Sequence, residues 1–184
     1  MVRFLAMFAA AVVFSVAATA QARQDDARLD TLFEQLLATA DDDEASTVQA
    51  EIWSIWIESG NADLDALMAR GIVAMHRQQF DVALESFNAL IEADADFAEG
   101  WNKRATLFYL MGRYDDSIRD VEHTLALEPR HFGALSGMGL ILTAIEDDRG
   151  ALEWFERALA VNPHMPFIRI RVEMLRAKLK GEKI

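Results

Sequence analysis

Residues Trp101 to Pro129, WNKRATLFYLMGRYDDSIRDVEHTLALEP, decide the fold of this 184-residue chain. They hold two apolar patterns at helical spacing: Trp101, Ala105 and Phe108, then Ile118, Val121 and Leu125. The same arrangement returns 34 residues before and 34 residues after. Small residues recur as Gly71, Ala105 and Gly139, and again as Ala83, Ser117 and Ala151. Large ones recur as Leu67, Trp101 and Leu135, and as Phe87, Val121 and Phe155. Pro129 and Pro163 end the second and third units, and Ala95 stands at that place in the first. A fixed period of this kind marks a stack of equivalent helical pairs. The small residues let two backbones approach, and the large ones fill the space above and below the crossing. One pair cannot bury its apolar faces alone, so neighbours must stack on it.

The period and this order of small and large residues resemble the tetratricopeptide repeat, or TPR. The expected fold is therefore all-α, an α-solenoid of three TPR hairpins over residues 64–97, 98–131 and 132–165. Residues 21–63 read as an N-terminal helical hairpin that caps the stack. Its apolar faces are Leu32, Phe33, Leu36 and Leu37, then Ile52, Trp53 and Trp56. Extending the register back puts Leu37, Gln49 and Trp56 where small residues belong, so the close crossing is forbidden there. The acidic run Asp41 to Glu44 suits the turn, with Asp43 or Ser46 as the cap of the second helix. Residues 166–184 read as a basic capping helix that begins at Pro166. Ile168, Val172, Leu175 and Leu179 line one side, and Arg169, Arg171, Arg176 and Lys178 occupy the others. A solenoid end needs such a polar outer surface.

Residues 1–20 have the parts of a secretory signal peptide: Arg3 as the lone charge, an apolar run from Phe4 to Val16, and small residues up to Ala20. Cleavage near Ala20 makes the protein periplasmic or secreted. A retained N-terminal anchor is the alternative, although residues 4–20 barely reach a spanning length.

Charge narrows the partner class. Lys and Arg number 18 against 30 Asp and Glu, a net charge of −12. Nucleic-acid binding is excluded as a main role, since phosphate contacts rest on Lys and Arg. The distribution is uneven: residues 166–184 carry six basic and two acidic side chains, and residues 21–165 carry 11 and 28. Contact of the basic helix with an anionic membrane surface is the alternative to its role as a polar cap.

Catalytic chemistry finds little support. With no cysteine there is no thiol nucleophile, disulfide or Cys-zinc site. No HExxH motif, phosphate loop or GxSxG elbow is present. His131 and His164 follow the repeat-ending prolines and read as loop residues beside helix starts. An envelope enzyme, or a small-molecule or metal carrier, would have to use these two and nearby carboxylates, and that is the alternative function. No cofactor and no metal are expected. Asp115-Asp116 and Asp147-Asp148 suit helix N-termini by charge and capping. Gly133 and Gly137 are unexpected in a helix and would either thin the wall of the groove to admit a ligand or only make that helix looser. Trp53, Trp56 and Trp101 read as core, whereas Trp154 is placed to be partly exposed.

The resemblance to the TPR family implies a concave groove lined by the first helix of each pair. The residues there are Met68, Ile72 and Met75, then Glu99, Asn102, Lys103, Thr106 and Tyr109, then Ser136, Leu140 and Thr143. TPR chaperone adaptors grip a C-terminal carboxylate with Lys, Asn and Arg. Here the matching positions hold Met68, Ile72, Lys103, Gly133 and Gly137, so that clamp is missing. The expected function is a non-catalytic scaffold or adaptor that binds a protein or peptide of the cell envelope, in envelope assembly or maintenance.

Overall fold

The repeat seen in the sequence sets where the helices begin from the second helix of the first pair onward, whereas the first helix of that pair starts at Ala62, two residues ahead of the expected register. In the computed structural model, which describes residues 23–181, the paired helices are α3 (Ala62–His76) with α4 (Phe80–Ala93), α5 (Ala98–Leu110) with α6 (Tyr114–Leu127), and α7 (Phe132–Ala144) with α8 (Asp148–Val161). They follow α1 (Arg28–Ala38) and α2 (Asp42–Ile57) and precede α9 (Pro166–Gly181). All the regular structure among the described residues is helical. The signal-peptide reading of residues 1–20 lies outside the described residues.

Each pair crosses where small residues remove side-chain bulk. Gly71 and Gly139 are covered by the rings of Phe87 and Phe155, and a Cβ on Gly139 would lie 2.5 Å from Phe155 Cδ1. In the middle pair Ala105 brings a methyl group and the facing residue is Val121, both buried in one cluster. The volumes are complementary: Gly with Phe, Ala with Val, Gly with Phe. Ser117 adds a polar tie, its hydroxyl donating to the Ala105 carbonyl at 2.7 Å. The helices are then reversed by one repeated turn. Gln78, Gly112 and Glu146, spaced one period apart, all have left-handed φ values of 58°, 71° and 65°. The amide of the following residue closes each turn onto the carbonyl of Ala74, Phe108 or Leu142 at 2.9 Å. This is the Schellman end that a left-handed residue makes available.

The hairpin α1–α2 departs from the expected position at the N-terminal end of the stack. It lies along the row of turns that join one repeat to the next. Arg23 pairs with Asp94 at 2.5 Å before α5, Asp30 with Arg130 at 2.7 Å before α7, and Gln49 accepts from Asn162 at 2.9 Å after α8. Leu29, Phe33, Leu36, Ile52 and Trp56 form one core with Phe132 of α7, against which Val161 and Met165 also pack. The bulky residues at its small positions explain the difference. Without a close crossing the hairpin cannot continue the repeat, and its apolar faces find the exposed turns instead. Each fully buried aliphatic side chain in this core contributes roughly 1.5–3 kcal/mol. Asp41, rather than Asp43 or Ser46, caps α2 by accepting from the amides of Asp43 and Glu44. At the far end α9 begins at Pro166, as expected, and packs Ile168, Val172 and Leu175 against Ala151 and Phe155.

Candidate functional site

The first helices of the pairs, α3, α5 and α7, carry the groove positions read from the sequence, and packing divides those positions into three groups. Met68 and Met75 are buried in the core of the first repeat, with Ile72 packed against it. Glu99, Asn102 and Lys103 belong to a buried polar network. Asn102, Thr106, Tyr109, Ser136 and Leu140 surround a cavity of about 130 Å³ between α5 and α7. Thr143 does not line this cavity, and its hydroxyl donates back to the Gly139 carbonyl at 2.8 Å.

The network centres on Glu99, whose side chain is fully buried. Its Oε2 accepts from Asn102 Nδ2 at 2.8 Å and meets His131 Nε2 at 2.9 Å. Its Oε1 faces Lys103 Nζ at 2.8 Å. Burial alone pushes this carboxyl toward its neutral form. Lys103 and the His131 hydrogen bond outweigh that effect and hold it below the usual carboxylate range. His131 is the N-cap of α7, and its Nδ1 accepts from the Ala134 amide at 3.1 Å. The ring proton therefore resides on Nε2 and is donated to Glu99. Trp56 stacks on the other side of the imidazole, with ring centroids 4.1 Å apart. His131 stands beside a helix start, as expected, but it is fully buried and organises the network, which its place in the sequence does not indicate. His131 follows Glu99 by 32 residues, two short of the repeat, so the period does not align the two, and the one signal for His131 was its place directly before a helix start.

His164 sits on the adjacent turn, its Nδ1 3.6 Å from Asp42 of the hairpin. Both histidines therefore face the N-terminal hairpin. Among the described residues no group of three or more His, Cys, Asp or Glu is placed to hold a metal ion.

The two unexpected glycines separate in role. A Cβ on Gly133 would lie 2.7 Å from Trp53 Cη2, so the thinned wall admits a side chain of the protein itself. Lys103 lies over the same indole, 5.2 Å from its centroid. Gly137 has nothing within 4 Å of its Cβ direction and opens onto the cavity. Thr106 is exposed at the rim, and Tyr109 is half-buried beside it. Trp53 and Trp56 pack in the hairpin core. Trp101 is only half-buried: it stacks on His123 at 4.2 Å and donates to the Ala95 carbonyl. Trp154 is half-buried as well, under the Arg157 guanidinium.

The comparisons agree with this architecture. The tetratricopeptide repeat family model matches residues 68–121 and 102–166. The chain belongs to the tetratricopeptide-repeat family. It is 42% identical over 156 residues to a TPR repeat-containing protein of Rhizobium etli, covering 85% of this chain and 76% of that one. Among solved structures, the Sgt2 TPR domain from Aspergillus fumigatus superposes with a TM-score of 0.62 at 20% identity, over 67% of this chain and 83% of that domain. The first TPR domain of Spaghetti (RPAP3), bound to the HSP90 peptide SRMEEVD, gives 0.61 at 18% identity, over 64% and 93%. At these identities the two structures bear on the fold alone.

Proposed function

We propose that this TPR protein is a non-catalytic scaffold of the cell envelope, exported through its N-terminal segment, that docks a protein or peptide on the open part of its groove. The observation that carries this reading is the cavity between α5 and α7. It has the size of one apolar side chain, its rim is formed by Thr106, Tyr109 and Leu140, and Gly137 leaves its wall open. The Thr106 and Tyr109 hydroxyls at the rim, over an apolar floor of Ala105, Val121 and Ile141, suit a peptide that inserts one apolar anchor and hydrogen-bonds beside it. Two structural neighbours are described as complexes, the first TPR domain of Spaghetti (RPAP3) with an HSP90 peptide and the TPR2B domain of yeast Sti1 with pHsp70, which supports peptide binding as the mode. The positions matching the carboxylate clamp are here Met68, Ile72, Lys103, Gly133 and Gly137. The first is buried and Lys103 is committed to Glu99, so an internal segment is the expected ligand rather than a chain terminus.

Gly137→Leu tests the proposal because it fills the cavity from an open position without touching the core. Partners that co-purify with the wild-type protein from the envelope fraction should be lost with Gly137→Leu, at an unchanged or higher melting temperature, since Leu replaces a glycine inside α7. Identical partner sets, or a wild-type protein found only in the cytoplasm, would overturn it.

A further inference from the structure

One exposed face of α9 does not fit its role as a polar cap. Its inner side is buried against the third repeat, yet Phe167, Ile170 and Met174 on another side are 80%, 54% and 66% exposed. With Ala177 they follow a spacing of three, four and three, which makes one continuous apolar seam along the helix. A solenoid end should be polar on that side. The register explains where the seam points. Ile170, Met174 and Ala177 stand one period after Ser136, Leu140 and Thr143, so they are a fourth row of groove positions. Leu140 joins the two regions, since it lines the central cavity and also packs against the α9 core.

Charge states what covers the seam. Arg171 and Lys178 border it on one side, and Arg169 and Lys180 lie beyond it on the other, with Glu173 the one acid between them on the described part of α9. Arg176 is paired with Glu156 at 2.7 Å and Lys178 with Asp148. These basic borders stand on a protein that is strongly acidic elsewhere. We infer that α9 is a second docking surface, continuous with the groove, for an amphipathic helix that presents an apolar seam with acidic residues along its edges. This rests on the groove reading above and gives the partner its chemistry. A seam at this spacing accepts the side chains of a facing helix, and charges on its borders select the partner's sign.

The test uses a phage-displayed library of random 16-residue peptides selected on the full protein. Enriched peptides should carry apolar residues three and four apart, flanked by Asp or Glu. A synthetic representative should bind about tenfold or more weakly to Ile170→Asp/Met174→Asp, in line with the loss of interface anchors. Arg169→Gln/Arg171→Gln should weaken it less and flatten its salt dependence. All these positions are exposed, so melting temperatures should not move, and Leu37→Asp, exposed elsewhere, should bind normally. Peptides that lose binding on Gly137→Leu but not on the α9 changes would overturn the α9 surface and leave the central cavity standing. Peptides indifferent to both sets would overturn both readings. A dimer by sedimentation that Met174→Asp dissociates, or binding to phosphatidylglycerol vesicles that Ile170→Asp abolishes, would also overturn it by giving the seam a different occupant.

Discussion

Gly133 and Trp53, 80 residues apart in the chain, meet so closely that the indole occupies the space of a missing side chain. Ring carbon Cη2 lies 2.7 Å and Cζ2 3.2 Å from where a Cβ would stand, and His131 Cε1 lies at 3.2 Å on another side. The N-terminal hairpin is therefore keyed to the third repeat by one glycine.

Gly133→Ala should displace Trp53 and loosen the hairpin, at a cost of about 1–3 kcal/mol for overpacking. The helix-propensity gain of Ala over Gly, up to about 1 kcal/mol, opposes this only in part. Limited proteolysis should cut between α1 and α2 sooner than in the wild type. Trp53→Leu in the Gly133→Ala background should recover part of the loss, because the smaller side chain leaves room for the methyl group. An undiminished protease resistance of Gly133→Ala alone would contradict the contact.

The crossing pairs make a second prediction. Gly139→Ala recreates half of the middle repeat, placing a methyl group against Phe155. It should destabilise the protein by about 1–3 kcal/mol. Phe155→Val alone leaves a cavity and should cost about the same or more. The double variant reproduces the Ala105–Val121 pairing and should be more stable than the sum of the two losses. Denaturant melts of the four proteins give the coupling directly, and strict additivity would show that the two residues do not share a space.

Left-handed turn residues give a third. Gln78 and Glu146 hold the conformation that Gly112 adopts freely, and both are exposed. An L-residue there costs roughly 1–2 kcal/mol, and the greater chain entropy of glycine when unfolded removes part of the gain. Gln78→Gly and Glu146→Gly should each raise stability by about 0.5–1 kcal/mol. A thermal melt that moves downward for both would refute the turn geometry.

The solenoid was legible because a period leaves the same mark three times: Gly71, Ala105 and Gly139 could be aligned before any contact was known. The helix starts at Ala98, Phe132 and Pro166 follow it one period apart. The hairpin's position was not legible, because Trp53 and Trp56 look like ordinary core residues whichever surface they cover. Glu99 and His131 were read separately, as a groove residue and a loop residue. Their pairing depends on two adjacent turns being brought side by side, which no local pattern encodes. The apolar seam of α9 was hidden for a related reason. Ile168, Val172 and Leu175 account for a capping face so fully that the pattern assigns nothing to Phe167, Ile170 and Met174 on the other.

The Glu99 network gives a prediction in pH. Its carboxyl is held below the ordinary value in the folded protein, chiefly because Lys103 and His131 outweigh the effect of burial. A depressed carboxyl contributes stability that is fully present above the unfolded value of about 4.3 and is lost as pH falls through the lower folded value. Glu99→Gln keeps the shape and an acceptor for the His131 proton but removes the charge that Lys103 faces. At pH 7 the variant should be less stable by about 1–3 kcal/mol, as for a buried charged group whose partner is lost. The gap between the two proteins should narrow below pH 4.3 as the wild-type carboxyl takes up a proton. Urea melts from pH 7 down to pH 3 measure it. A gap that stays constant over that range would mean that the Glu99 carboxyl takes up its proton alike in the folded and unfolded chain, and a gap that widens as pH falls would mean that it is already protonated in the folded protein.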